Sequence, residues 1–264
     1  MEWWLGYLAI GAAVGFFAGL FGIGGGAIVV PLLVMLLEAQ DLPKEYILHL
    51  AVGSAMASML FTSLSSMRAH AMRGAVRWDL ALSLTPGILA GGLLGSSITA
   101  WISRQTFAAL FAAIVFMAAT NILLDRKPKP ARVLPGVAGS MLVGLVIGFA
   151  STLAAMGGAF MTVPFALYCN VPLLQAIGTA AIIGFPIAFA GTVGFIAAGW
   201  GHGALPAYSI GYVYLPAVFG ITLASVLTAP LGAATAHRLP TRRLKRIFAL
   251  LLYGLATRML ISLW

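Results

Sequence analysis

The stretch GLFGIGGGAIVVP, Gly19 to Pro31, places a cluster of glycines and a proline inside a run that is otherwise apolar from Leu5 to Leu37. As one straight helix, this run would be about 50 Å long, whereas the hydrocarbon core of a bilayer is about 30 Å thick. Glycine permits sharp turns and close backbone approach. We therefore expect two shorter helices, broken at Phe21 to Gly26, which enter and leave the membrane on the same face.

The composition predicts an all-α polytopic membrane protein. Hydrophobic residues make up 61% of the chain and charged residues 8%, and the mean hydropathy of +1.04 is too high for a soluble domain. The net charge of +9 is placed in short loops, which fits membrane topology better than nucleic-acid binding. A single cysteine, Cys169, and scattered histidines indicate neither an internal disulfide nor a metal site. The start of the chain has no cleavable signal pattern.

Eight apolar segments are long enough to span a bilayer, and they fall into two groups of four. The segments are Leu5–Leu37, Tyr46–Met67, Leu80–Ile102, Thr106–Leu124, Val133–Leu167, Ile177–Ala198, Tyr212–Ala236 and Ile247–Trp264. The basic linker DRKPKPAR separates the groups. We therefore divide the chain into a first membrane repeat, 1–124, a cytoplasmic linker, 125–132, and a second membrane repeat, 133–264.

The two halves match in an ordered series of glycines and prolines. A shift of 133 positions places Gly24 on Gly157, Gly25 on Gly158 and Pro31 on Pro164. After an extra segment in the first half, Glu38 to Glu45, VGSA at 52–55 lies over IGTA at 177–180. This order favours an internal duplication.

Loop charge predicts that the repeats are inverted. Lys and Arg concentrate on the cytoplasmic side of membrane proteins. The loop after the second segment is basic in the first half, with Arg68, Arg73 and Arg77, but its counterpart Trp200–Gly211 is uncharged. Inversion requires each half to cross the membrane an odd number of times. A glycine-broken hairpin followed by three spanning helices satisfies this in each half, with the second break at Ala155 to Gly158.

The restarting helices, near Ala27 and Ala159, are expected to point amides and positive dipole ends toward each other at mid-depth. Helix N-termini of this kind suit an anion, as in many secondary transporters. Small residues and hydroxyls near the breaks complete the predicted substrate site: Gly24, Gly25, Gly26, Ala27, Ser54, Gly157, Gly158, Ala159, Thr162 and Thr179.

Several of these features have simpler explanations. Spaced glycines such as Gly11, Gly15 and Gly144 are typical of close helix packing. The hydroxyls of Ser54 and Thr179 could bond back to their own helix, which is equally consistent with the sequence. Gly22, Gly24 and Ala27 fit a dinucleotide-binding spacing, but that motif requires a preceding strand in a soluble βαβ unit.

The chain also resembles the TauE/SafE family of membrane permeases. The resemblance rests on three stretches: GLFGIGGGAIVVPLL at 19–33, STLAAMGGAFMTVPF at 151–165 and PLGAATAHRLPTRRLKRIFALLL at 230–252. It implies a multi-pass transporter of the bacterial cytoplasmic membrane, with sulfite, sulfoacetate and related organosulfonates as substrates. Ala155 and Met156 stand where a fuller glycine run is typical of the family, so the two halves of the site need not be equivalent.

All six acidic residues lie in loops or at segment ends, so no carboxylate relay for protons is predicted at mid-depth. We expect an anion transporter that works as an exporter, because an anion leaves a negative-inside cell downhill. An anion channel and an uptake permease for another sulfur-containing or carboxylate anion remain alternatives. An intramembrane enzyme is less favoured, since no nucleophile and base pair up at helical spacing.

The expected partners are a small anion and the lipid bilayer, with no nucleic acid and no cofactor. A homo-oligomer remains open.

Overall fold

The structure is a computed structural model that describes residues 3–21, 25–72, 74, 76–124, 134–203, 205–236 and 241–263. Within these residues the chain forms ten helices and one two-stranded hairpin. In chain order they are α1 (Trp3–Phe21), α2 (Gly26–Glu38), α3 (Ile47–Met72), α4 (Trp78–Thr99), α5 (Arg104–Leu124), α6 (Val137–Leu153), α7 (Ala159–Tyr168), α8 (Leu173–Ala198), β1 (Ser209–Ile210), β2 (Val213–Tyr214), α9 (Leu215–Ala236) and α10 (Thr241–Leu263).

The first apolar segment of each half is interrupted, as predicted from its glycines. In the first half, α1 ends at Phe21 and α2 begins at Gly26. In the second half, α6 ends at Leu153 and α7 begins at Ala159. Each half therefore supplies five helices in the same order, and the prediction of an all-α fold is confirmed.

Several helices are long and apolar enough to cross a membrane. In the described part of the chain these are α4, α5, α8 and the Ile47–Leu64 portion of α3. Large apolar side chains such as Leu82, Leu110 and Leu223 are exposed on the surface of the bundle, where a bilayer would cover them. The chain is a multi-pass membrane protein.

Helices α1 and α9 run parallel in close contact. A Cβ built on Gly11 would lie 2.8 Å from the Cα of Ile221, and one built on Gly15 would lie 2.5 Å from the Cα of Ser225. Because both residue numbers rise together, the helices point the same way. The hydroxyl of Thr228 also donates to the carbonyl of Ala12 at 2.9 Å. These glycines act in packing, the simpler explanation offered by the sequence.

Helices α4 and α6 form the matching parallel pair. A Cβ on Gly87 would lie 2.8 Å from the backbone nitrogen of Leu145, and one on Gly148 would lie 2.8 Å from the Cα of Ile88. Under the shift of 133 positions, Gly15 of α1 corresponds to Gly148 of α6. The same helix contact is therefore made twice, each time between one helix of the first half and one of the second.

Helices α3 and α8 occupy the centre of the bundle and run antiparallel. The sulfur of Met56 lies 2.9 Å from the Cβ position of Gly191, and Cβ of Ser63 lies 3.6 Å from that of Gly184. Later residues of α3 thus contact earlier residues of α8, so the two helices run in opposite directions. Helices α3 and α8 occupy equivalent positions in the two repeats. A rotation that relates equivalent helices makes them antiparallel only if its axis is perpendicular to the helices. This supports inverted repeats. The linker, 125–132, lies outside the described residues, so the domain boundaries stay a prediction.

Candidate functional site: the junction of the two helix breaks

The two interruptions meet inside the protein. Gly26, the first residue of α2, lies against the second break so closely that a Cβ built on it would overlap the carbonyl oxygen of Ala155. A Cβ on Gly25 would likewise overlap the side chain of Val14 in α1. Backbone therefore packs on backbone at this junction, and side chains at Gly25 and Gly26 are excluded by the space. We call this contact the break junction.

The second break is built from an unusual backbone. Ala155 has φ 49° and Gly158 has φ 35°, a region that side chains other than hydrogen disfavour. The turn is fixed by backbone bonds, since the N–H of Met156 donates to the carbonyl of Ser151 at 2.9 Å. Ala155 is fully buried despite this conformation. The sequence places the break correctly, although an alanine occupies one of its left-handed positions.

The second break lies at mid-depth in the bundle. A Cβ on Gly158 would lie 2.5 Å from Cδ1 of Ile187. Ile187 is the fifteenth of the 26 residues of α8, a helix long enough to span the membrane. Irregular backbone at this depth survives only where protein or a water-filled cavity satisfies it.

The first turn of α7 uses several of its N–H groups locally. The N–H of Ala159 donates to the carbonyl of Gly157, and those of Met161 and Thr162 donate to the carbonyl of Gly158, at 3.1 and 2.8 Å. The sequence predicts that the amides at this helix start are free to meet a ligand. In this conformation those three amides are engaged within the turn, so side-chain hydroxyls beside the break are further candidate hydrogen-bond donors.

Thr162 supplies such a hydroxyl. Its side chain is fully buried, and its Oγ1 has no hydrogen-bond partner. The Oγ1 lies 3.5 Å from the Cβ position of Gly158, the residue that precedes α7. An unpartnered hydroxyl thus lies beside the N-terminus of a helix, where the positive end of the dipole favours an anion.

The other glycines and alanines predicted for the site differ in position. On the first half, Gly26 and Ala27 are buried, and Gly24 lies outside the described residues. On the second half, Gly157 and Ala159 are partly buried at the break. The structure therefore brings together the break residues of both halves that it describes. Their role in binding a substrate stays a prediction.

The predicted hydroxyls Ser54 and Thr179 have backbone partners in the other half of the chain. The N–H of Tyr214 donates to Oγ of Ser54 at 2.9 Å, just before α9 begins. The N–H of Arg77 donates to Oγ1 of Thr179 at 3.0 Å, just before α4 begins. Thr179 also donates to the carbonyl of Gln175 at 2.7 Å, the back-bond that the sequence left open. The two contacts match under the repeat, and each fixes the start of a helix.

Arg77 is also held by a charged neighbour. Its Nε lies 2.8 Å from Oδ1 of Asp79, and this hydrogen bond raises the pKa of the Arg77 guanidinium. Asp79 belongs to the first turn of α4, where a negative charge is favourable. The pair therefore anchors the same helix start that Thr179 contacts.

Sequence reasoning missed two further hydroxyls beside the second break. Ser151 and Thr152 lie in the last turn of α6, both fully buried and both without a hydrogen-bond partner for the side-chain oxygen. A signal was available, because the matched positions in the first half are Ala18 and Gly19. The second break therefore has hydroxyl side chains at positions where the first break has none.

A cluster of rings closes the end of the bundle that carries β1 and β2, which we call the hairpin face. The ring of Tyr212 lies 6.0 Å from that of Tyr46, 4.8 Å from that of His49 and 5.7 Å from that of His202. Nε2 of His49 donates to the carbonyl of Thr99 at 3.0 Å. His49 and His202, which the sequence leaves scattered, therefore pack with tyrosines at this face.

No group of three or more His, Cys, Asp or Glu side chains that could hold a metal ion occurs in the part of the chain that the structure describes. Together, the apolar spanning helices, the matched halves and the break junction at mid-depth define the architecture of a membrane transporter. The break junction is the candidate site within that class.

Comparison with known proteins gives the same class. The family described as sulfite exporter TauE/SafE matches residues 7–259, and the chain belongs to this family. A probable membrane transporter protein of Haemophilus influenzae is 37% identical over 97% of each chain. The probable membrane transporter protein YdhB of Bacillus subtilis is 25% identical over 71% of this chain and 76% of its own. One from Methanocaldococcus jannaschii, MJ0441, is 23% identical over 90% and 88%. No solved structure matches the chain.

Proposed function

We propose that this membrane transporter moves a small anion, sulfite or an organosulfonate, out of a bacterial cell across the cytoplasmic membrane. The observation that carries the proposal is the break junction, where a helix N-terminus and the unpartnered hydroxyl of Thr162 lie at mid-depth. The family name and the names of the relatives support transport. The anion itself is our inference from the site.

The chemistry of the junction favours a negative solute. The start of α7 presents the positive end of a helix dipole, and low-dielectric surroundings strengthen its attraction for an anion. The acidic side chains of Glu38, Asp41 and Glu45 lie at the end of α2 or in the loop after it, away from the junction. A negative solute therefore meets no carboxylate from these residues at mid-depth.

The paired helices offer a route to alternating access. Helix α1 is bound to α9 and α6 to α4 through close backbone contacts, so each pair is suited to move as one body. The junction lies between the two halves that supply these pairs. Rocking of one pair against the other would open the junction to one side at a time.

Direction follows from the membrane potential. An anion that leaves a negative-inside cell gains about 2.3 kcal/mol per charge for each 100 mV. Export of sulfite or a sulfonate therefore requires no coupled ion. Break residues of both halves, Gly24 to Ala27 and Gly157 to Ala159, together with Thr162, are proposed to line the path. Ser54 and Thr179 remain candidates on the helices that follow.

The test is a flux screen of the purified protein in proteoliposomes. Labelled sulfite is compared with sulfate, sulfoacetate, taurine and carboxylates of similar size. We expect saturable flux of sulfite or a sulfonate, together with faster efflux when unlabelled substrate is present on the far side. Flux without that stimulation would indicate a channel, and absence of flux for every anion would overturn the proposal.

A further inference from the structure

Unpartnered buried hydroxyls are concentrated around the second break. Among the described residues, six buried side-chain polar atoms have no hydrogen-bond partner, and they belong to His49, Ser151, Thr152, Thr162, Ser209 and Thr222. Three of the six therefore fall within twelve positions of sequence, on the two sides of one helix break. Such groups are rare in native structures and require an explanation.

Other hydroxyls in the helices of this protein are satisfied by their own backbone. Thr192 donates to the carbonyl of Ala188 at 2.7 Å, and Ser58 donates to that of Ser54 at 2.9 Å. This back-bond is the usual arrangement for Ser and Thr in membrane helices. Ser151 and Thr152 lie in a helix and do not make it.

Thr152 and Thr162 each lie next to a glycine that packs against α8. Oγ1 of Thr152 lies 3.1 Å from the Cβ position of Gly92, which is itself 2.8 Å from Cβ of Ala190. Oγ1 of Thr162 lies 3.5 Å from the Cβ position of Gly158, which contacts Ile187. Ile187 and Ala190 are three residues apart and share one face of a helix. Each of the two hydroxyls therefore lies beside a glycine that packs on this turn of α8.

The first break is built without these hydroxyls. Under the shift of 133 positions, Ser151, Thr152 and Thr162 correspond to Ala18, Gly19 and Val29. Helix α1 nevertheless ends and α2 begins at the matching place. A helix break in this fold therefore has no structural need for the three hydroxyls, and a role in the second half alone is indicated.

The geometry points to Ser151 and Thr152 as further binding residues for the transported anion, which they would hold together with Thr162 through hydrogen bonds to its oxygens. This inference rests on the proposed function and extends it. Hydroxyls donate to an oxyanion without adding charge, and these three hydroxyls otherwise have no hydrogen-bond partner. Beside the breaks, recognition of the oxygens is then carried by the second half, while the first break contributes backbone and apolar side chains.

The experiment compares Thr152→Val and Ser151→Ala with two matched controls, Thr192→Val and Ser58→Ala, whose hydroxyls already have partners. Each purified variant is titrated with sulfite and with sulfoacetate by calorimetry, and its melting temperature is measured without anion. We expect Kd to weaken about tenfold or more in Thr152→Val and Ser151→Ala. We also expect their melting temperature to hold steady or rise by about 2–4 °C, since a buried unsatisfied group is removed.

The controls should behave in the opposite way, with a lower melting temperature and an unchanged Kd. If wild type binds sulfite or sulfoacetate and both Thr152→Val and Ser151→Ala bind it within about twofold of wild type, the inference is overturned while the proposed function stands. In that case water satisfies the hydroxyls. If wild type neither binds nor transports any anion of the panel, the proposed function is overturned together with the inference.

Discussion

Gly26 and Ala155 form a contact between the two halves of the protein. The Cα of Gly26 packs directly against the carbonyl oxygen of Ala155. The residues are far apart in sequence, and each belongs to the helix break of its own repeat. No Cβ fits between them. Because the two breaks are in contact, a substitution that displaces the backbone of one break also displaces the backbone of the other.

Gly26→Ala should abolish most transport. The added Cβ would force the breaks apart, and overpacking of this kind costs about 1–3 kcal/mol or more. We expect sulfite flux to fall by at least about tenfold, while the protein still inserts and purifies. Gly254→Ala in α10 is the control, since a Cβ there meets open space. Normal flux in Gly26→Ala would show that the break junction does not lie on the substrate path.

Ala155→Gly and Ala154→Gly form a matched pair of neighbouring buried alanines. Ala155 has φ 49° and Ala154 has φ −98°, so glycine relieves strain only at Ala155. Because left-handed backbone costs a side chain about 1–2 kcal/mol, Ala155→Gly should be more stable than Ala154→Gly by about 1 kcal/mol or more. Thermal unfolding in one detergent measures the difference. Equal melting temperatures would contradict the positive φ.

Ser54→Ala and Thr179→Val should each destabilise the protein. Removal of either hydroxyl leaves the part-buried N–H of Tyr214 or Arg77 without its acceptor, at a cost of about 1 kcal/mol. The double variant should lose the sum, because the two contacts do not touch each other. Unfolding measures the stability, and calorimetry with sulfite measures Kd. A large loss of affinity would add both hydroxyls to the substrate site.

Single cysteines test the inverted topology. In a Cys169→Ala background, we place cysteine at Gly74, Trp200 or Arg246, all of which are exposed. Basic loops lie on the cytoplasmic side, so an impermeant maleimide applied to intact cells should label Trp200→Cys alone. Permeabilised cells should label all three. Labelling of Gly74→Cys from outside would contradict the inversion.

Membrane potential should drive export without a proton gradient. For a singly charged anion, 100 mV corresponds to about 2.3 kcal/mol, or roughly a 50-fold gradient at equilibrium. Proteoliposomes should release sulfite faster when a potassium diffusion potential, negative inside, is imposed. Collapse of the pH difference alone should not slow this release. Dependence on the pH difference would indicate proton coupling through groups other than midplane carboxylates.

The sequence predicted the breaks because glycines and spanning length are local signals. The ends of α1 and α6 and the starts of α2 and α7 lie within a residue or two of the expected positions. The matched loops also predicted the antiparallel arrangement that α3 and α8 display. Both inferences depend on composition along the chain, which a sequence contains directly.

The partners of the hydroxyls could not be predicted in the same way. Ser54 meets a backbone N–H that is 160 positions away, and Thr179 meets one 102 positions away. Pairing over such separations depends on helix register and tilt, which periodicity does not fix. The ring cluster at the hairpin face was missed for the same reason, since its tyrosines and histidines come from separate loops and helices.

The close helix pairs interlock the two repeats. Helix α1 packs on α9, and α6 packs on α4, so each of these pairs takes one helix from each half of the chain. If each pair moves as one body, as proposed, every moving body contains a helix from both repeats. A half-length chain would lack the partner surfaces of its own first helix and its own third spanning segment, so an ancestral single-repeat protein of this fold would have had to pair with a second copy inserted upside down.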